Sequence, residues 1–570
     1  MTRIHLVLLG PGGDVEAWSH GEPWPHGEWV PVTESPAGVA ALAEALDALM
    51  SRARTEDAVL CWDSRLGPPP EPAPILARPG DVWHGGLLLG QEGRPFTIDY
   101  VHPTWMLNRD PDPHLEATSW RLSLRACLTS VGVWRRFGGI DPAFDTLDGA
   151  SLELGHRWLM GGAVPRHVPS LLPEGSTPRA YGVPTVADSL RFVRRRSGPR
   201  WTLWAAARGV RTGHLGIFEA FTALRRIRRE LPVRGLEDTV PSSAPSPRPA
   251  SDSATTGEAP PRVTVLVPTL DRYPYLEVLL EQLGEQTVPP LEILVIDQTE
   301  AEQRRRDWPE RFPKLPIRYV ELDVAGQCSS RNLGLMQSRG GAVLFLDDDD
   351  EVPPDLLERH LANLEAAGAQ VSCGVADEVG GGPLPEAFRR RRASDVFPTN
   401  NGMVRRDALE ASGLFDLAFE RGARADADLG MRLYLSGALS ILDPTIRVLH
   451  HHAPRGGLRR HDARVVTYAA SRRRLTARRV PEATEIYLAR RYFSPRQARE
   501  MLVIAVAGTF SIRGGALRRL AKAAYALVTL PLTLRTLGQR RRKAEAMLEE
   551  YPRIPSLAQG TEASVQTGVR

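Results

Sequence analysis

The chain has 570 residues, 42% hydrophobic and 25% charged, and carries a formal net charge of +4. That length accommodates two or three domains, and so balanced a charge excludes a protein that coats nucleic acid. Four widely spaced cysteines, Cys61, Cys127, Cys328 and Cys373, exclude a disulfide framework or thiolate zinc site and make a reducing cytoplasm the expected compartment.

In chain order, Ile4 to Leu9 is too short for a signal peptide and reads as a first strand. The apolar run Ala58-Val59-Leu60-Cys61-Trp62 ends on Asp63, followed by Ser64 and Arg65. Residues 184–235 form a basic helical segment with Trp201 and Trp204 among arginines. Residues 236–261, rich in Pro, Ser, Ala and Thr, read as a linker.

Beyond the linker, Arg262 to Pro268 reads as a buried strand and Leu276 to Leu283 as a helix. Leu291 to Ile296, ending on Asp297, and Ile317 to Leu322 give two further strands. Ala342 to Leu346 gives a fourth, which stops abruptly in Asp347-Asp348-Asp349-Asp350. Strands alternating with helices predict an α/β domain with its ligand at the carboxyl ends of the strands. Four adjacent carboxylates repel one another unless a cation sits among them, and Mg²⁺ or Mn²⁺ suits oxygen ligands that bridge to phosphates. The structural alternative is an acidic turn, or the cap of a helix starting near Pro353-Pro354-Asp355. Just upstream, Gly326 to Gly334 is a loop entering a helix, whose free amides and Arg331 could hold a phosphate.

These residues resemble the family 2 glycosyltransferases, which have the GT-A fold. Val267-Pro268-Thr269-Leu270-Asp271-Arg272 is similar to the family's P-T-x-N-R element, with Asp271 in the Asn position. Arg331-Asn332-x-Gly334 resembles R-N-x-G, and Asp347 to Asp350 the D-x-D metal motif. Gly413-Leu414-Phe415-Asp416 resembles G-G-F-D, and residues 425–433 resemble E-D-x-x-L-x-x-R-L, with Ala425 where Glu is usual. The resemblance implies a catalytic domain at 262–464 that moves a sugar from a nucleoside-diphosphate donor to a glycan, lipid-linked or small-molecule acceptor, with inversion. It implies a divalent metal on Asp347, Asp349 and His450, first of the run His450-His451-His452. Donor contacts are implied at Thr269, Asp271, Asp297, Arg331, Asp347 and Asp348. Asp426 is implied as general base, with Asp428 as the fallback. The histidine run also suits a polar strand end or an adventitious zinc site, and the basic loop Pro454 to Arg460 suits closure over a diphosphate.

The first half repeats this pattern in weakened form. Residues 58–69 align without a gap on 342–353, placing Arg65 at the position of Asp349; residues 138–144 align on 413–419, and 154–159 on 429–434 with the same spacing. In that register Ser151 stands at the position of Asp426. Residues 1–183 therefore read as a degenerate GT-A-like domain without metal or base, making the fold α/β with two such domains in tandem.

Residues 465–550 read as a helical extension and 551–570 as a flexible tail. No apolar stretch reaches the ~18 residues of a spanning helix. Leu517, Leu520, Ala521, Ala524 and Val528 nevertheless share a helical face opposite Arg518, Arg519 and Lys522, which suits either an interfacial helix on the inner face of a membrane or packing on the catalytic domain. Homo-oligomerisation is compatible with the chain. Two other function classes remain to be weighed: a non-catalytic carbohydrate-binding scaffold, which the intact acidic run disfavours, and a nucleotidyltransferase, disfavoured because residues 268–273 lack a Gly-rich, Lys-bearing loop.

Overall fold

Continuous apolar runs such as Val263–Thr269, buried along nearly its whole length, suit strands flanked on both edges and covered on both faces. The computed structural model describes residues 3–9, 36–91, 106, 108–179, 181–228, 260–382, 384–385, 388–453 and 468–557. Most of the expected linker and all of the basic loop 454–460 lie outside them.

Two sheets carry the chain. The first contains β1 (Ile4–Leu9), β2 (Ala58–Asp63), β3 (Val82–His84), β4 (Ala117–Thr118), β5 (Ala126–Ser130) and β6 (Pro165–His167), in the order β1-β2-β5-β3-β6-β4. The second contains β7 (Val263–Thr269), β8 (Glu292–Asp297), β9 (Ile317–Glu321), β10 (Ala342–Phe345), β11 (Asp350–Glu351), β12 (Val371–Glu378), β13 (Arg392–Ala393), β14 (Gly402–Arg405) and β15 (Ser440–His450). Its order is β11-β15-β12-β14-β10-β7-β8-β9, with β13 also on β15.

Within the second sheet, β7, β8 and β9 step outward in one direction, and β10 then returns to the other side of β7. The order therefore reverses between β7 and β10, the kind of crevice where open α/β sheets bind ligands. Thr269 ends one of these strands, and Asp347 follows the other.

The two sheets share a plan. The pairs β1·β2, β2·β5, β5·β3 and β3·β6 run parallel, antiparallel, antiparallel and parallel. The same sequence of directions holds for β7·β10, β10·β14, β14·β12 and β12·β15. Equivalent helices follow: Val131–Phe137 and Arg406–Ser412 both end at a left-handed glycine, Gly138 (φ 79°) and Gly413 (φ 82°). Arg157 and Arg432 each donate to the carbonyl just before that glycine, Phe137 and Ser412. Among the described residues the first half has no counterpart of β8 or β9, the strands on the outer side of the crevice.

One continuous apolar core runs through both halves and the C-terminal helices. Tyr434 Oη donates to the Arg109 carbonyl (3.0 Å), and the Met106 amide to Asp395 (3.0 Å), tying the halves together. The expected basic segment is three helices, Val186–Ser197, Pro199–Arg211 and Ile217–Arg228. The start of the expected flexible tail is corrected: residues 551–557 are docked, with Leu414 N donating to the Pro555 carbonyl (2.8 Å) and Arg491 to the Tyr551 carbonyl (2.9 Å).

Candidate functional site

The site is assembled from the ends of β7 and β10, the start of the Gln327–Gln337 helix and the end of β15. After Leu346 the chain turns so sharply that Asp350 pairs with His450 in the antiparallel β11·β15 ladder. That pairing, between residues 100 apart in sequence, brings the histidine to the acidic run. Asp347, Asp349 and His450 present ligand atoms that all lie within 4.8 Å of one another. Two carboxylates and an imidazole form a mixed oxygen and nitrogen donor set that suits a divalent ion, Mn²⁺ better than the oxygen-seeking Mg²⁺, so the residues present fit a divalent ion of the kind the sequence implies.

The four carboxylates do different work. Asp347 is partly open and accepts from Arg331 Nη2 (3.0 Å). Asp349, 1% exposed, accepts from Arg272 Nη1 (2.9 Å) and from the Ala453 amide (2.7 Å). Asp350 accepts from the Asp347 amide (2.8 Å) and holds His450 Nδ1 at 2.8 Å, the carboxylate–imidazole contact that commonly orients a ligating histidine. Asp348 is turned inward, accepting from Thr269 Oγ1 (2.9 Å) and Arg272 Nη1 (3.0 Å). Thr269 and Asp348, expected at the donor, are 1% and 3% exposed and hydrogen-bonded to each other between the ends of β7 and β10.

Burial pushes the Asp348 carboxyl up to about 7 against the pull of Arg272. Burial likewise raises Asp350, to about 8, against the pull of His450. For His450 burial disfavours the charge, but the Asp350 hydrogen bond and the nearby carboxylates outweigh it and carry the ring up to about 9. Without a divalent ion, the cluster's charge is thus balanced by Arg272, Arg331 and the histidine, and by protons held on buried carboxyls.

Arg331 lies on the helix as expected, 5% exposed, stacked 5.9 Å from the Phe415 ring, with Nη1 on the Gln327 carbonyl. Its buried Nε has no hydrogen-bond partner among the described residues. The expectation of free amides at this helix start is corrected: Glu420 accepts from the amides of Cys328 (2.9 Å) and Ser329 (3.0 Å) and contacts the Ser329 hydroxyl, while Gln298 accepts from Gly326 N (2.7 Å). A carboxylate from a distant loop already caps this positive helix end.

Asp297, fully buried, accepts from Tyr273 Oη (2.6 Å), Tyr319 Oη (2.7 Å) and the Thr299 amide (2.9 Å). Both phenols meet one carboxylate oxygen, and the amide meets the other. Asp271 adopts a left-handed conformation (φ 59°) and its amide donates to Thr299 Oγ1 (3.0 Å), which shapes the loop after β7.

The two candidate bases separate cleanly. Asp428, fully buried, is locked by Arg432 Nε and Nη2 (3.0 and 2.7 Å) and by Tyr492 Oη (2.6 Å). Asp426, in the first turn of the Ala425–Leu435 helix, is half-buried and takes no side-chain partner among the described residues. The histidines also diverge: His451 goes to Glu351 and His452 to Glu378, so the triple run does not gather into a zinc site.

In the first half the matching positions are closed. Asp63 accepts from Arg65 Nε (2.8 Å) and Arg125 Nη1 (2.8 Å), so guanidinium groups stand where an ion would. Ser151 is fully buried and its hydroxyl accepts from the Leu124 amide (3.2 Å).

A reversed-order α/β sheet whose crevice holds an acidic strand end, an arginine helix and a strand-borne histidine is a GT-A-like domain. Residues 264–423 match the family model "Glycosyl transferase family 2". It is 29% identical over 107 residues to the uncharacterized glycosyltransferase YwdF of Bacillus subtilis, covering 19% of this chain and 39% of YwdF. It is 26% identical over 147 residues to the poly(ribitol-phosphate) beta-N-acetylglucosaminyltransferase TarS of Staphylococcus aureus, covering 25% of this chain and 26% of TarS. A mannosyltransferase from Pyrobaculum calidifontis, solved with GDP-Man and Mn²⁺, is 19% identical with a TM-score of 0.31, covering 60% of this chain and 98% of that one. The chain thus spans well under half the length of these two curated relatives.

Three site residues escaped the sequence reading. Arg272 lay inside a quoted motif without a role, although an arginine next to a strand end that faces four aspartates was a usable signal. Glu420 and Tyr319 had none, being single residues whose partners lie far along the chain.

Proposed function

We propose that the chain is a metal-dependent, inverting glycosyltransferase that moves a sugar from a nucleoside-diphosphate donor to a glycan, lipid-linked or small-molecule acceptor. The observation that carries this reading is the convergence of Asp347, Asp349 and His450 at the β7/β10 crevice. These three would hold a divalent ion, which when bound neutralises the departing diphosphate. Arg331, with one guanidinium nitrogen unpartnered beside Asp347, supplies a donor to the same anion. Arg272 and Asp350 keep the carboxylates and imidazole in place. Asp426, half-buried and without a side-chain partner among the described residues, is the base that takes the acceptor hydroxyl proton, leaving Asp428 to hold the helix. The first half takes no part in the chemistry, its counterpart positions being filled by Arg65 and Ser151.

The test is turnover of a panel of nucleotide sugars with and without Mn²⁺, for the wild type and Asp349→Ala. Metal-dependent release of nucleoside diphosphate, lost in the variant, is the expected result. No metal-dependent turnover with any donor would instead favour a carbohydrate-binding scaffold.

A further inference from the structure

The Ala516–Val528 helix is mounted with its polar side inward. Lys522, fully buried, donates from Nζ to the carbonyls of Ala477 (2.6 Å), Leu475 (2.9 Å) and Arg474 (3.3 Å). Arg518 donates to the Arg473 carbonyl (2.6 Å). At 3.6 residues per turn, Leu517, Leu520, Leu527 and Val528 fall on the opposite flank. They are 82%, 68%, 60% and 81% exposed.

Apolar burial normally sets the rotation of an amphipathic helix. Here three carbonyls gripping one ammonium override it and leave a contiguous greasy face outward. A patch of this kind marks an interaction surface. The following helix, Leu530–Glu550, extends it with Leu532 and Leu534, 53% and 51% exposed.

Charge identifies the occupant. Between Glu500 and Glu545 the sequence has nine Lys or Arg and no Asp or Glu. A second copy docking through the same face would set these cations against one another, because a two-fold contact pairs each patch with itself. A surface that is apolar inside and anionic at its boundary satisfies both features at once.

The first half carries a second exposed apolar helix face. Ile217, Phe218 and Phe221 are 70%, 87% and 64% exposed on the Ile217–Arg228 helix. The helix before it, Pro199–Arg211, is joined to Pro495–Gly508 by the buried Arg208–Glu500 ion pair and by Trp204 Nε1 on Glu500 (3.3 Å). Both apolar helices therefore leave from one junction.

We infer that the Ala516–Val528 helix docks the protein on an anionic lipid bilayer, with its leucines at the headgroup boundary and the flanking arginines on lipid phosphates. This stands apart from the transfer chemistry and survives its failure.

The full chain would be sedimented with vesicles of phosphatidylcholine alone and of phosphatidylcholine mixed with phosphatidylglycerol. Binding to the mixed vesicles, about tenfold or more above the neutral ones and weakened by salt, is expected. Two double variants, Leu517→Glu with Val528→Glu and Arg519→Glu with Arg535→Glu, should each cut that binding about tenfold. All four side chains are exposed, so the melting temperature should stay at the wild-type value. Wild type that ignores anionic vesicles, or variants that bind as well as wild type, would overturn the inference. So would a dimer in sedimentation equilibrium that Leu517→Glu dissolves, since the face would then belong to a second copy.

Discussion

Asp426 and Asp428 sit two positions apart on one helix, and replacing each by Asn should produce opposite phenotypes. Asp428 is fully buried and takes two hydrogen bonds from Arg432 and one from Tyr492. Removing one charge of a buried pair leaves the other uncompensated, typically at a cost of about 3–5 kcal/mol. Asn keeps an oxygen for Tyr492, which places Asp428→Asn near the lower end, ~3 kcal/mol. At about 2 °C per kcal/mol for a large domain, the melting temperature should fall by roughly 6 °C. Asp426 has no partner to lose, so Asp426→Asn should melt within about 0.5 kcal/mol of wild type. As general base it should nonetheless cost about 10²–10⁴-fold in kcat. Differential scanning fluorimetry beside a diphosphate-release assay reads both numbers. The assignment is refuted if Asp426→Asn turns over normally, or if Asp428→Asn loses catalysis while its melting temperature stays put.

Three further outcomes follow from the same site. Arg272→Met strips the shared guanidinium from Asp348 and Asp349, so the metal-free protein should lose about 3 kcal/mol, and Mn²⁺ should raise its melting temperature more than that of wild type. Glu420→Ala uncaps the Gln327–Gln337 helix and should cost about 1 kcal/mol by chemical denaturation; a cost near zero would mean that water satisfies those amides equally well. The Asp348 carboxyl is raised from 3.8 to about 7 in the folded state. Its contribution to stability is therefore full below pH 3.8 and lost as pH rises through 7. In EDTA, wild type should lose stability between pH 5 and about 7 more steeply than Asp348→Asn, and identical slopes would contradict the burial argument.

Much of the molecule was readable locally. The strands at 263–269, 292–297, 317–321 and 342–345 were anticipated within a residue or two, because each is an apolar run closed by polar residues. The acidic run was legible for the same reason, and its three proposed metal ligands, Asp347, Asp349 and His450, are brought together. Nucleotide-side details were less readable. Asp297 lies beneath two phenols contributed from 24 residues before it and 22 after, and the phosphate loop carries a cap from Glu420, some 90 residues away.

By itself the sequence determined that the chain holds an α/β domain with an acidic strand end, preceded by a half whose pattern resembles it in weakened form, since periodicity and gapless repeats are properties of neighbouring residues. Only the tertiary structure decided which carboxylate faces the crevice, which aspartate of the Asp426/Asp428 pair is locked by hydrogen bonds, and which side of the Ala516–Val528 helix points outward. Each of those outcomes depends on a partner brought from a distant segment: Arg272 across 77 residues to Asp349, Tyr492 across 64 to Asp428, and the carbonyls of Arg474, Leu475 and Ala477 to Lys522. Sheet register and helix docking set such contacts, and no local propensity encodes them.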